Sequence, residues 1–398
     1  MKNINLLLFS TLFTIVVGYV FMSPMKQFEY KTSYKVKKKM PLERRIQGRE
    51  KIRELQLRNV VTGKVDAADW YRAMGEIKAI KPQLSARSGE LDWEQQGPDQ
   101  VGGRTRGFVF DKLNPNRVYA GGVSGGVYVS DNLGHNWRPV QDMSDSFHIM
   151  SIGCMKQSKD GDIYAGTGEY WGNPVDGSGG SQFYGNGIYK KKANEETWTL
   201  LTSTVSSLLT NASNNGNFQQ VIDIACDPND NEKIYAGTTK GLFVSTNGGQ
   251  TWTSVPGVSS PVAQIKYAAD GSTLYGAWNG KVWKSTNGTT WTDLIGANTA
   301  YQANGNQHVR IAVSSKDPNK LYVAGITGSN GGDLKYAIRT TDGGSTWQFL
   351  GKGDISFNPL CNDVNGQRQC QGFYDLSLAT HPLNDDIVFM GGSASMNS

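Results

Sequence analysis

The side chains able to grip or transform a ligand are spread over residues 92–398. Arg104 and Arg106, in Gly102-Gly103-Arg104-Thr105-Arg106, offer guanidinium groups, as does Arg310 beside His308. His148, Gln220 and Gln264 add an imidazole and two amides, and Tyr374 with Asp375 a phenol and a carboxylate. Glu169 and Trp171 fall in the stretch 168–187, rich in Gly, Ser, Asn and aromatics, with Tyr170 and Asp176. Such a composition is that of a binding loop, and aromatic faces beside polar groups suit a sugar or a peptide. No phosphate-binding loop, zinc HExxH or Cys/His nucleophile motif is present. The glycine runs lie between short strand-like segments with no following helix to hold a phosphate, so they are turns. No cofactor or metal is expected, and no residue is assigned as catalytic.

The elements that must position these residues come from an internal repeat. A strand-like pattern recurs at Val118-Tyr119-Ala120-Gly121, Ile163-Tyr164-Ala165-Gly166, Ile234-Tyr235-Ala236-Gly237, Leu274-Tyr275-Gly276-Ala277, Leu321-Tyr322-Val323-Ala324 and Val388-Phe389-Met390-Gly391. The aromatic position recurs at intervals of 45, 71, 40, 47 and 67 residues, a unit of roughly 45 with two insertions, which fits a propeller blade. The expected fold is all-β: a β-propeller of four-stranded antiparallel blades, five complete and a sixth partial, after a short helical segment. Inner strands are expected at 104–110, 148–154, 219–226, 263–267, 309–313 and 372–379. The sixth unit stops at Met396-Asn397-Ser398 before its hairpin. The chain therefore reads as truncated within a longer protein, and alone it is expected to associate or express poorly, because an unpaired sheet edge invites pairing.

A second motif follows the first in most units. Its copies are Ser130-Asp131-Asn132-Leu133-Gly134-His135-Asn136-Trp137, Ser245-Thr246-Asn247-Gly248-Gly249-Gln250-Thr251-Trp252, Ser285-Thr286-Asn287-Gly288-Thr289-Thr290-Trp291 and Thr340-Thr341-Asp342-Gly343-Gly344-Ser345-Thr346-Trp347. Asn or Asp at the third position closes a turn on the backbone, and glycine at the fifth supplies positive φ. A structural hairpin is expected, and a calcium site is not, since one or two oxygens per turn fall short of six.

These copies resemble the Asp-box (BNR) repeat of sialidase-like and sortilin-like (VPS10-type) β-propellers. Thr62-Gly63-Lys64, the run from Trp93 and Gly97-Pro98 to Arg106, and Gly166-Thr167-Gly168-Glu169 resemble exported sortilin-like propeller proteins of Bacteroidetes-type bacteria. The resemblance implies that ligands meet the mouth of a central channel, where the candidate residues above converge. A sialidase would need three inner-strand arginines, a Tyr–Glu nucleophile pair and an acid Asp. Arg104, Arg310 and Arg368 with Tyr374 is the set that can be drawn. A xyloglucanase-type hydrolase would carry an aspartate before the paired glycines of the first blade. Here that stretch reads Gly121-Gly122-Val123-Ser124-Gly125-Gly126, without a carboxylate. Inversion needs two carboxyl groups about 6.5–9.5 Å apart, with Glu169 and Asp375 left to replace the lost one.

Composition agrees with a β-rich chain. Glycine is 48 of 398 residues beside 10 Trp and 17 Tyr, which excludes a helical bundle and disorder. The net charge of +5 is uneven. Residues 24–91 hold 17 Lys+Arg against 8 Asp+Glu, whereas 92–398 hold 22 against 27. The main domain is mildly acidic, and no nucleic-acid partner is expected. The basic segment 24–91 reads as two short amphipathic helices, 41–58 and 66–80, and a linker. Residues 1–23, uncharged over 4–23, read as a signal peptide or, alternatively, a membrane anchor through 4–23. The lysines at 35 and 37–39 oppose translocation. An exported protein could staple the polar loop between Cys361 and Cys370 with a disulfide; Cys154 and Cys226 read as buried thiols. The expected function is an exported, non-catalytic module binding a glycan or protein at the channel mouth, with a glycoside hydrolase as the alternative. Membrane contact is expected only if residues 4–23 remain attached.

Overall fold

Each Tyr-bearing segment pairs on both sides, as a β-branched, aromatic run flanked by turn residues should. The computed structural model describes residues 103–140, 151–170, 185–205, 216–296, 308–327, 332–353, 358–364 and 367–392, with isolated positions at 61, 72, 75, 76, 79 and 301. Blade 1 comprises β1 (Thr105–Phe110), β2 (Val118–Gly122), β3 (Gly126–Ser130) and β4 (Arg138–Pro139). Blade 2 comprises β5 (Ile152–Gln157), β6 (Ile163–Thr167), β7 (Ile188–Lys191) and β8 (Trp198–Leu200). Blade 3 runs from β9 (Val221–Cys226) and β10 (Ile234–Thr238) to β11 (Gly241–Ser245) and β12 (Thr253–Ser254). Blade 4 holds β13 (Val262–Tyr267), β14 (Leu274–Trp278), β15 (Lys281–Ser285) and β16 (Thr292–Asp293). Blade 5 holds β17 (Val309–Val313), β18 (Leu321–Ile326), β19 (Leu334–Thr340) and β20 (Gln348–Gly351). A hairpin of β21 (Cys361–Val364) and β22 (Gln367–Cys370) precedes the sixth unit, β23 (Ser377–Thr380) with β24 (Val388–Gly391). Every pairing is antiparallel and sequential. This is the expected β-propeller, with five four-stranded sheets and a two-stranded sixth.

The apolar cores lie between blades. Val109, Tyr119, Val127 and Val129 of blade 1 pack with Ile152, Ile163, Tyr189 and Trp198 of blade 2, and the same alternation continues around the inner strands. The glycine after Tyr-Ala makes this close approach possible. A Cβ on Gly121 would sit 2.5 Å from Ile152 Cγ2, and one on Gly166 2.6 Å from Val221 Cγ1. Among the described residues blade 1 is covered on one side only: Phe108 and Phe110 are more than half exposed, and so is Phe389 of β24. Burial pushes the free Cys154 thiol up and Cys226 up to about 12, leaving both unreactive at neutral pH.

At the rim, four hairpins share one hydrogen-bond pattern. Ser130 Oγ accepts the Gly134 N–H at 2.8 Å, and Asn132 Oδ1 accepts the Asn136 N–H at 2.8 Å. Ser245 with Gly249 and Asn247 with Thr251 repeat it, as do Thr340 with Gly344 and Asp342 with Thr346. In the shorter copy, Ser285 takes Gly288 and Asn287 takes Thr290. Gly134, Gly249, Gly288 and Gly344 all have positive φ. The bonds from Thr346 and then Thr340 hold the Asp342 carboxyl down to about 2. The closing indoles differ in depth: Trp137 is 41% exposed, Trp252 packs on Phe218, Trp291 meets Trp278 edge-on, and Trp347 donates to the Leu294 carbonyl of blade 4.

Two strand expectations need correction. The inner strand of blade 2 lies later than 148–154, at Ile152–Gln157, where the Gln157 amide ties its end to Asp111 and Gly161. The stretch 372–379 is not one strand: Gly372–Asp375 form a helical turn and only Ser377–Thr380 pair. Gly372 is wedged so tightly against the Gly332 carbonyl that a Cβ would lie 2.0 Å from it. Cys361 and Cys370 are joined by a disulfide. Most of the expected helical segment 24–91, and all of residues 1–23, lie outside the described residues. No helix among the described residues is long and apolar enough to cross a membrane.

The rim hairpins can be tested singly. Ser245→Ala removes the acceptor for the buried Gly249 N–H, and we expect it to cost about 1–2 kcal/mol. It should lower the urea midpoint with the slope unchanged.

Candidate functional site

The inner strands enclose a cavity of about 550 Å³. At one edge of it the backbone brings Glu169 inward. Gly168 has φ +89° and runs so close to blade 3 that a Cβ would stand 2.3 Å from the Gln219 carbonyl. The next residue, Glu169, is 1% exposed. A buried carboxylate must be paired, and here the partners come from three places. Tyr374, on the helical turn before β23, donates its hydroxyl to Glu169 Oε1 at 2.6 Å. Arg104 Nη1 lies 3.4 Å from Glu169 Oε2 and donates to Tyr374 Oη at 3.2 Å. Arg106 Nε lies 3.4 Å from Oε1, and its guanidinium sits 4.0 Å above the Tyr374 ring, a cation–π contact. Gln220 Nε2 holds the Glu169 backbone carbonyl at 2.8 Å. Burial first, and then the bond to Glu169, raise the Tyr374 pKa against the opposing pull of Arg106 and Arg104. The phenol therefore keeps its proton at neutral pH and points it at the carboxylate. Tyr374 lines the cavity, whereas Glu169 stands behind it.

Further round the cavity, polar side chains of the inner strands stitch one blade to the next. Asp223 Oδ2 accepts the Ile265 N–H at 3.0 Å, and Gln264 Oε1 accepts the Ile311 N–H at 2.7 Å. Arg310 donates to the Ala263 carbonyl at 2.9 Å and the Leu376 carbonyl at 3.2 Å. His308 gives Nδ1–H to the Phe373 carbonyl at 2.8 Å, and burial followed by Arg310 keeps its ring neutral. Gln220, Gln264 and Arg310, read from sequence as ligand contacts, thus hold neighbouring backbone, although Gln264 and Arg310 also line the cavity with Asp375. His148 and Trp171 lie outside the described residues. Arg368 sits on the β21–β22 hairpin. The turn 121–126 presents no carboxylate; Val123 is buried there and donates its N–H to the Arg104 carbonyl.

Three charged lining residues were not singled out from sequence: Lys156, Asp223 and Lys266. Lys156 and Lys266 each follow a cavity-lining residue by two positions, after Cys154 and Gln264, so the period-2 alternation of an inner strand could have found them. Asp223 attracts the Lys266 ammonium, but burial and the nearby Lys156 and Arg310 outweigh it and push Lys266 down to about 8.

No family model matches the chain. Among curated proteins it is similar to Xyloglucanase Xgh74A of Acetivibrio thermocellus, 24% identical over 300 residues that cover 73% of this chain and 31% of the relative. It is also similar to a xyloglucanase of a Paenibacillus species, 23% identical over 353 residues covering 69% and 34%. Among solved structures, an ancestral GH74 enzyme aligns with a TM-score of 0.46 at 21% identity, covering 66% of this chain and 33% of that one. The chain spans about a third of the length of the curated relatives it matches. The two curated likenesses correct the expectation of a non-catalytic binding module. Proteins named for glycan hydrolysis favour the hydrolase alternative instead.

Lys266 gives a pH-dependent test. Its folded pKa lies below the ordinary value near 10.4, so between about 8 and 10.4 the unfolded chain binds the extra proton and stability rises with pH. Below about 8 the charged ammonium is a standing cost. Lys266→Met should raise the melting temperature by several degrees at pH 7, and the gain over wild type should vanish near pH 10.5.

Proposed function

We propose that this chain is the propeller part of an exported glycoside hydrolase that works at the central cavity. The observation that carries the reading is the Tyr374–Glu169 pair: a cavity-facing phenol whose oxygen lies 2.6 Å from the carboxylate behind it and donates its proton there. A weak nucleophile with a base in hydrogen-bond reach, oriented in turn by further groups, is the arrangement covalent catalysis requires. In this scheme the Tyr374 oxygen attacks the anomeric carbon and Glu169 receives the phenolic proton. Arg104 and Arg106 hold the phenol and carboxylate in place, and a protonated Asp375 gives its proton to the departing sugar oxygen. Water then cleaves the glycosyl–tyrosine bond, with Asp375 as base, and Tyr374 recovers its proton. The hydrolase relatives support the reaction class. Their activity as xyloglucanases makes β-glucans the first substrates to try, and the resemblance of the rim hairpins to Asp-boxes adds sialosides. Export through residues 4–23 fits a substrate outside the cell.

The test is a turnover screen against xyloglucan, other β-glucans and sialosides. Tyr374→Phe and Glu169→Gln should each reduce kcat by at least about a hundredfold, with the far-ultraviolet circular dichroism of the folded protein retained. Full activity in both variants would end the proposal.

A further inference from the structure

The cavity wall is unbalanced in charge. Among the described residues it carries five cationic side chains, Arg104, Arg106, Lys156, Lys266 and Arg310, against the carboxylates of Asp223 and Asp375; Arg104 and Arg106 are paired with Glu169 behind the wall, so the excess lies at Lys156, Lys266 and Arg310. Lys156 and Lys266, from blades 2 and 4, both line it, and the Lys156 charge opposes that of Lys266. The carboxylate that faces them is Asp223, and one of its oxygens is already taken by the Ile265 N–H. Arg106 Nη2 is buried without a hydrogen-bond partner. Like charges held together in a partly buried wall destabilise a fold unless a ligand neutralises them. The rest of the lining is apolar at Phe108, Met155 and Leu378, and the volume of about 550 Å³ far exceeds that of a lone inorganic anion.

From this we infer that the wall formed by Lys156, Lys266 and Arg310 is a binding site for the anionic group of an acidic saccharide. The ring stacks on the apolar lining, and a carboxylate or sulfate lies between the two lysines. The wall lines the same cavity as Tyr374, but its recognition of an anion does not depend on hydrolysis. It would also set this chain apart in substrate, because a neutral glucan leaves the positive wall uncompensated.

Calorimetric titration of the full chain with trigalacturonate, a sulfated disaccharide, cellotriose and inorganic sulfate tests this without reference to turnover. We expect the acidic saccharide that fits, carboxylated or sulfated, to bind at least tenfold more tightly than cellotriose. Its affinity should weaken between 20 and 200 mM salt. Lys156→Met and Lys266→Met should each weaken it about fivefold or more, while Lys266→Arg, which keeps the charge, should retain most of it. Equal affinity for cellotriose, tighter binding of inorganic sulfate than of either acidic saccharide, or undiminished affinity in the Lys156→Met/Lys266→Met double variant would overturn the inference. Failure to hydrolyse any glycan would leave these binding results standing, and so would bear on the proposed activity alone.

Discussion

A single buried carboxylate fixes where the distant parts of this chain meet. Glu169 cannot be desolvated alone, since an unpaired buried charge is among the costliest features a fold can hold. Its partners come from the start of β1 and from the turn ahead of β23, 205 positions away in sequence for Tyr374. The first blade, the second blade and the sixth unit are thereby held to one another at the cavity edge. The same contact gives the phenol its direction, so scaffold and chemistry share one set of bonds.

Everything outside that point is arranged to bring the inner strands close. The Tyr strands bury their rings between blades, the glycines after them leave room for Ile152 and Val221, and the rim hairpins close each sheet locally. Within the cavity, Asp223, Gln264 and Arg310 cross from one blade to the backbone of the next. Such bonds satisfy groups that would otherwise be orphaned and also fix which side chains remain free to face a ligand.

The blades were legible because the repeat announces itself several times over: the Tyr strand, its turn and the box recur at blade spacing. Arg104, Arg106, Glu169 and Tyr374 could be named from sequence as neighbours of the mouth. That Tyr374 would rest on Glu169 could not, because it depends on a helical turn where strand alternation was expected, and that turn is set by the packing of Gly372 against Gly332. Lys156, Asp223 and Lys266 escaped for another reason. In a one-dimensional reading, a charged residue in an apolar strand looks like the solvent face of the sheet, and only the arrangement of the blades around an axis turns that face into a cavity wall.

The long span between Glu169 and Tyr374 also orders events in time. Each rim hairpin closes within a few residues, so the blades can form early and independently. The contact between residues 169 and 374 can form only after the intervening blades have stacked, because their packing sets the distance it must bridge. Loop-closure entropy grows slowly with length, so a span of this size is thermodynamically tolerable. The consequence is kinetic: a nascent or partly stacked chain displays sheets but no assembled phenol–carboxylate pair. Completion of the site then reports that the blades between residues 169 and 374 have stacked.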